Sequence, residues 1–368
     1  MKLWWLGVLA ISVAEPCSYD YTIWMVRSAN ADPYFRFVKN DKAGYIDRSG
    51  KVVIAPTLST LGNFGEEFRE GLLQVRDGFT EVNGQRHALP GFEMYGDFSE
   101  GLAAAQPEGP QRFNGKYGYI DRAGHWAIAA RFDRAWEFSG GLARVELNGK
   151  TGFIGRTGSF IIPLEFSNAT DFHEGRAAAI LENCKIAGAL CGGDHFAPEG
   201  DPEGPHCRYT VVDKTGRPIS EGRYHAVRQF SQGLAAFREG DLWGYIDTSG
   251  RVVVTPRFEA AEPFSDGLAA VLQDKRWGFI SRSGEFAIEE RFAYAESFSE
   301  GLALVANSQG QFYIRKSGKP AFTGKFEAGS SFRFGLAHVL ITRTKAPIGR
   351  FAYIDTKGRT VFAYAGTK

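Results

Sequence analysis

The sequence predicts an all-β fold of about nine 34-residue units, each a set of three to four short strands built on a β-hairpin. Three observations predict it. One is a seven-residue phrase that begins and ends on glycine: GYIDRSG (Gly44 to Gly50), GYIDRAG (Gly118 to Gly124), GFIGRTG (Gly152 to Gly158), GYIDTSG (Gly244 to Gly250) and GFISRSG (Gly278 to Gly284). Another is the phrase FSEGLA and its variants, whose glycine falls in most copies 17 residues after the glycine closing the first. The last is an absence. No stretch carries a sustained apolar period of 3.6 residues, so the helical repeat of the same length is disfavoured.

The N-terminus comes first. Lys2 and the apolar stretch Leu3 to Ala14, too short to span a bilayer, read as an export signal over residues 1–14. A buried N-terminal strand is the alternative. Pro16 before Cys17 fits a lipobox badly, so no lipid anchor is expected. Residues 15–33 form an N-terminal strand or cap, with Tyr19 to Val26 strand-like, and the repeats occupy 34–364.

Aligned on the glycine that closes the turn, the units end at Gly50, Gly84, Gly124, Gly158, Gly216, Gly250, Gly284, Gly318 and Gly358. The copy at Gly84 is decayed but keeps its spacing to Gly101. Strand A is the run after the FSEGLA glycine, as in Leu142 to Leu147; strand B is the GYID run; strand C follows the turn, as in Arg251 to Pro256. Asp47, Asp121, Asp247 and Asp355 open the B–C turn, where a carboxylate accepts hydrogen bonds from turn amides. Gly50, Gly124, Gly250 and Gly358 close it, where a left-handed backbone suits glycine. A fourth, weak strand is expected in Phe258 to Phe264 and its equivalents. The chain starts its repeats at strand A and stops after strand C, so the last unit is expected to lack its closing segment. Pairing of Tyr19 to Val26 with that unit would close a propeller-like ring; an open β-solenoid is the alternative.

The recurrence of G-[YF]-I-D-x-x-G followed by F-x-x-A-x-x-F-S-E-G-L-A resembles the bacterial WG-repeat family, also called KWG repeats. The naming dipeptide stands at Trp243-Gly244 and Trp277-Gly278, while Tyr117, Thr151 and Ala43 hold the tryptophan position elsewhere. The resemblance covers about Tyr34 to Phe362 and implies a general β scaffold in bacterial proteins with varied partners.

Charge excludes one class of partner. With 43 basic and 42 acidic residues the chain lacks the basic excess that nucleic acid or an anionic membrane calls for. Recurring carboxylates read as structural. The turn aspartates, and the acidic residues before the FSEGLA glycine (Glu70, Glu100, Glu174, Asp266, Glu300), are expected to build turns. No catalytic, cofactor or metal site is predicted: His173, His225 and His338 are scattered, and Trp126 and Trp136 read as packing, with a sugar-stacking platform as the alternative.

Insertions carry the functional expectation. Three units exceed the period, and in each the excess falls between strands A and B, within Gln106 to Lys116, 181–208 and Ile341 to Arg350. Candidate binding residues there are Arg112, Lys116, Asp194, His195, His206, Arg343, Lys345 and Arg350. The central insertion also holds Cys184, Cys191 and Cys207, which with Cys17 make an even count suited to disulfides in an exported protein. Cys184–Cys207 with Cys17–Cys191, and Cys184–Cys191 with Cys17–Cys207, both remain open; zinc is the alternative, although the spacing matches no usual ligand pattern. The expected function is a non-catalytic secreted or periplasmic scaffold binding a protein or envelope glycan. An envelope hydrolase using the central insertion and a purely structural surface protein are the alternatives.

Overall fold

The computed structural model describes residues 32–59, 67–75, 78–109, 115–181, 208–219, 224–343 and 348–367. Among them lie nine antiparallel sheets of three or four strands, here numbered 1 to 9, spanning 35–59, 72–88, 92–132, 134–166, 168–213, 226–258, 260–292, 294–315 and 328–367. Sheet 7 shows the complete pattern: a short opening strand (Ala260–Ala261), then A (Ala269–Gln273), B (Arg276–Ile280) and C (Phe286–Phe292), neighbours in that order. The all-β repeat expected from the spacing is therefore present.

The sheets are cut differently from the sequence units. The weak strand opens the following sheet, because Ala260–Ala261 pairs with strand A of sheet 7 rather than with strand C of sheet 6. Sheet 9 consequently lacks nothing: Ala328–Gly329 opens it and Thr360–Thr367 ends it. The expected gap there is corrected. Sheets 1 and 2 are described without an opening strand, and Tyr19 to Val26 lies outside the described residues.

The WG dipeptide has a mechanical explanation. In sheets 1, 3, 4, 6 and 7 strand C bulges opposite the glycine of strand B, so that Trp243 faces Phe258 whereas Tyr245 faces Val254. The bulged backbone comes so close that a Cβ on Gly244 would sit 2.4 Å from the Val254 carbonyl oxygen. Where the glycine is absent, the bulge is absent too. Ala352 of sheet 9 pairs with Ala363 in a ladder that is regular from Phe351 to Tyr353. Sheets 5 and 8 carry Thr210 and Phe312 there and show no strand C among the described residues. Both also place a proline, Pro218 and Pro320, where sheet 6 has Val252 paired with Ile246. Proline has no N–H to give the ladder, and only isolated bridges remain.

The connections follow local rules. In sheets 1, 4 and 7, A and B join by two-residue hairpins with both residues at positive φ, Asn40-Asp41, Asn148-Gly149 and Asp274-Lys275, the turn whose twist matches the strands. In the B–C turn, Asp247 Oδ1 accepts from the Ser249 amide at 2.9 Å and the Arg251 amide at 3.1 Å. Asp47, Asp121 and Asp355 bond the equivalent amides, and Gly50, Gly124, Gly250 and Gly358 all have φ near +80°. The Ser249 hydroxyl and these amides hold the Asp247 carboxyl below its ordinary range.

No single central core exists. Nine apolar clusters each lie between two sheets, consistent with units that pack mainly on their neighbours. An open row of nine sheets has eight such junctions. The ninth cluster joins sheet 9 to sheet 1: Leu336, Tyr353 and Phe362 meet Phe35, Phe37 and Ile46. Leu234, Tyr245 and Val254 of sheet 6 meet Ala269, Val271 and Ile280 of sheet 7 at the corresponding positions.

Hydrogen bonds repeat between sheets as well. Glu70, Glu100, Glu174, Asp266 and Glu300 lie at φ of about +50° inside the turns expected of them, but their side chains reach away from those turns. Each carboxylate accepts the N–H of the glycine on the next sheet: Glu70 from Gly101 at 3.0 Å, Glu100 from Gly141 at 3.1 Å, Glu174 from Gly233 at 2.7 Å, Asp266 from Gly301 at 2.6 Å and Glu300 from Gly335 at 2.8 Å. Gln232 does the same for Gly267, and Asp32 starts the series by accepting from Gly71 at 2.6 Å. A charge-assisted bond of this kind, mostly exposed, contributes about 1 kcal/mol. Between sheets 9 and 1 both partners are missing. Phe334 offers no acceptor, and Pro33, in the place of the glycine, has no N–H.

Candidate binding site

Two regions of the described chain offer more than scaffold. The first is the A–B end of the sheets. Strand A of sheet 3 ends at Pro107 and B starts at Tyr117; the corresponding gap in sheet 5 runs from Ile180 to Thr210, and in sheet 9 from Arg343 to Ile348. Elsewhere two residues suffice, so these three loops leave from equivalent ends. Lys116 is tied down in an ion pair with Asp133, and Gln106 Nε2 donates to the Gly115 carbonyl at 2.7 Å. Arg343 and Arg350 stand on paired strands, with the Arg350 side chain exposed. Arg112, Asp194, His195, His206 and Lys345 lie outside the described residues, as do Cys17, Cys184, Cys191 and Cys207 and the pairings expected of them.

The second region was not singled out from sequence. Glu67, Asp97, Glu137 and Asp171 occupy one equivalent position, just before the phenylalanine of the FSEGLA phrase, on sheets 2 to 5. Arg69 replaces the phrase serine of sheet 2. Its Nη1 donates to both Glu137 oxygens at 2.6 Å, and its Nε lies 3.2 Å from Asp97 Oδ2. Arg333, the same replacement on sheet 9, pairs with Glu67. Arg144 Nε donates to Asp171 at 2.9 Å while its guanidinium lies 3.8 Å from the centre of the Trp136 ring. Arginines that reach past one sheet to the next show that these edges converge.

Four carboxylates share three guanidiniums. Desolvation pushes the Glu137 carboxyl up to about 7 against the pull of Arg69, and burial raises Asp97 as well. Burial thus favours the protonated form of both acids against the pull of the guanidinium they share. The Glu137 side chain is 40% exposed, so the cluster opens to solvent there. At the same phrase position Ser99, Ser139, Ser231 and Ser299 instead donate to a phenylalanine carbonyl of the next sheet. An arginine in a serine column is the signal that marks Arg69 and Arg333 in the sequence.

The aromatic alternative resolves in part. Arg144 covers one face of Trp136, while Trp126 is 39% exposed with Phe92 against it at 5.1 Å. No group of three or more His, Cys, Asp or Glu that could hold a metal occurs among the described residues, and no helix there is long and apolar enough to cross a membrane.

The profile of the WG containing repeat matches residues 44–78, 117–150, 152–183, 209–243, 243–277 and 277–308. The chain belongs to the WG-repeat family. No curated protein matches this WG-repeat chain in sequence. Among solved structures it is similar to a eukaryotic initiation factor, with 9% identity, 92% of this chain and 97% of that chain covered, and a TM-score of 0.56. It also matches a quinonprotein alcohol dehydrogenase-like protein of Bacteroides thetaiotaomicron (9% identity, 92% and 77% covered, TM-score 0.39) and the WD40 domain of SCAP from fission yeast (10%, 72% and 66%, TM-score 0.26). The first likeness supports a propeller-like fold and nothing beyond the fold.

Proposed function

We propose that this WG-repeat protein is a non-catalytic binding scaffold, a closed propeller-like ring that holds a protein or an envelope glycan with the loops between strands A and B. One observation carries the reading: three two-residue hairpins are replaced by longer loops, and all three leave from equivalent ends of their sheets. In a repeat array, loops on one face vary without disturbing the junctions that hold the array together. The near balance of 43 basic and 42 acidic residues suits such partners better than nucleic acid. The export-signal reading of residues 1–14 sets the scaffold outside the cytoplasm, in the periplasm or beyond it.

Capture from an envelope extract, with the full chain and a variant lacking 182–207, tests the loop face. The deletion is expected to abolish at least one captured partner while the far-ultraviolet spectrum stays unchanged; identical capture by both proteins overturns it. Closure has its own test. Small-angle scattering is expected to give the compact profile of a ring, and an elongated particle would sink that part of the proposal.

A further inference from the structure

His338 lies on strand A of sheet 9, inside the junction with sheet 1. Its ring is stacked at 13° on Phe351 and at 9° on Tyr364, with centroids 5.3 and 5.9 Å away, and its Nε2 is 2.8 Å from the Tyr364 hydroxyl. Tyr364 in turn packs on Phe37 of sheet 1 at 5.8 Å, and Phe362 packs on Phe37 at 5.0 Å. The Tyr353 hydroxyl donates across the junction to the Arg36 carbonyl at 2.6 Å. The row of His338, Tyr364 and Phe37 therefore runs from one sheet into the other. This junction also lacks the side-chain-to-amide bond, because Phe334 and Pro33 cannot form it, as Gly140 cannot between sheets 4 and 5.

We propose that the contact between sheets 9 and 1 is an acid-released latch, with His338 as its trigger. A neutral imidazole accepts from the Tyr364 hydroxyl and lies flat among rings; an imidazolium brings an unpaired charge into the same apolar row. Among the described residues the ionisable groups around it supply no carboxylate. They are Tyr353 and Tyr364 on its own sheet and Arg36 from sheet 1, whose positive charge acts on Tyr364. Arg48 of sheet 1 also crosses the junction, 5.2 Å from the Phe334 ring, while Arg333 beside that ring pairs with Glu67 of sheet 2. Burial pushes the imidazole down to about 4 from its ordinary 6.5. The fold thus favours the neutral form. Its contribution is complete above pH 6.5 and is lost as pH falls from 6.5 through 4.

Hydrogen exchange of the full chain at pH 7.5, 5.5 and 4, corrected for intrinsic rates, reads the latch directly. Protection in 35–39 and 360–367 is expected to fall by up to about 300-fold across the titration, while 269–292 keeps its protection. His338→Gln, which stays neutral, is expected to keep both edges protected at pH 4. Equal loss in His338→Gln, or loss of 269–292 in step with the edges, overturns the proposal. If that variant does not fold, the imidazole titration of the unaltered protein decides by magnetic resonance: a midpoint near 4 supports the latch, and one at 6.5 or above overturns it.

Discussion

Arg69→Met destabilises the fold by about 3 kcal/mol at pH 8 and by less than half as much at pH 5. The substitution keeps the stem that packs in the cluster and removes the guanidinium that pairs with both Asp97 and Glu137. At pH 8 two partly desolvated carboxylates are left facing each other without a cation. The figure is set at the low end for unpaired buried charge because Glu137 is 40% exposed and water screens part of the repulsion. The sign with pH follows from binding of protons. Both carboxyls are raised in the fold, so the folded state holds protons that the unfolded chain releases above its ordinary carboxyl range. Stability therefore drops as pH rises from the unfolded value through the folded one. Removing Arg69 widens that window upward. Urea unfolding of both proteins at the two pH values checks it. An equal loss at pH 5 and 8 would mean that packing of the arginine stem, and not its charge, holds the cluster.

Gly244→Ala costs about 3 kcal/mol, whereas Gly267→Ala costs about 1 kcal/mol. The first adds a carbon 2.4 Å from the Val254 oxygen and 2.8 Å from the Pro256 nitrogen, both backbone atoms that cannot swing aside. The second meets nothing within 4 Å and bears only the strain of a φ of +86°. Thermal unfolding of the pair separates crowding from backbone conformation. Equal losses would remove the close approach of the bulge as the reason for glycine in the WG dipeptide.

Much of this architecture can be read from spacing. Strands A, B and C and the turns at Asp47, Asp121, Asp247 and Asp355 follow from local rules, because alternation, glycine and a carboxylate near turn amides act within a few residues. The role of Glu100 could not be read in this way. Its partner Gly141 is 41 residues away, and a residue at positive φ beside a glycine looks locally like a turn former. Arg69 was overlooked for a related reason. It interrupts a column of serines that only the alignment of all units displays, and its partner Glu137 lies two sheets on. Pro218 and Pro320 stood in plain view, yet their effect depends on knowing that Val252 is a paired position. The insertion candidates from Arg112 to Lys345 were found by counting, which locates a loop without describing its surface.

The missing bond between Phe334 and Pro33 bears on how the last contact is made. Small differences in the angle between successive sheets add up along the chain, and the whole accumulated error falls on the place where sheet 9 meets sheet 1. A carboxylate that must find an amide at 2.6 to 3.1 Å tolerates little misfit. Phenylalanine and tyrosine rings at 5.0 to 5.8 Å slide over one another at small cost. Seven of the other junctions carry such a bond, and the apolar contact between sheets 9 and 1 tolerates a misfit that those bonds do not.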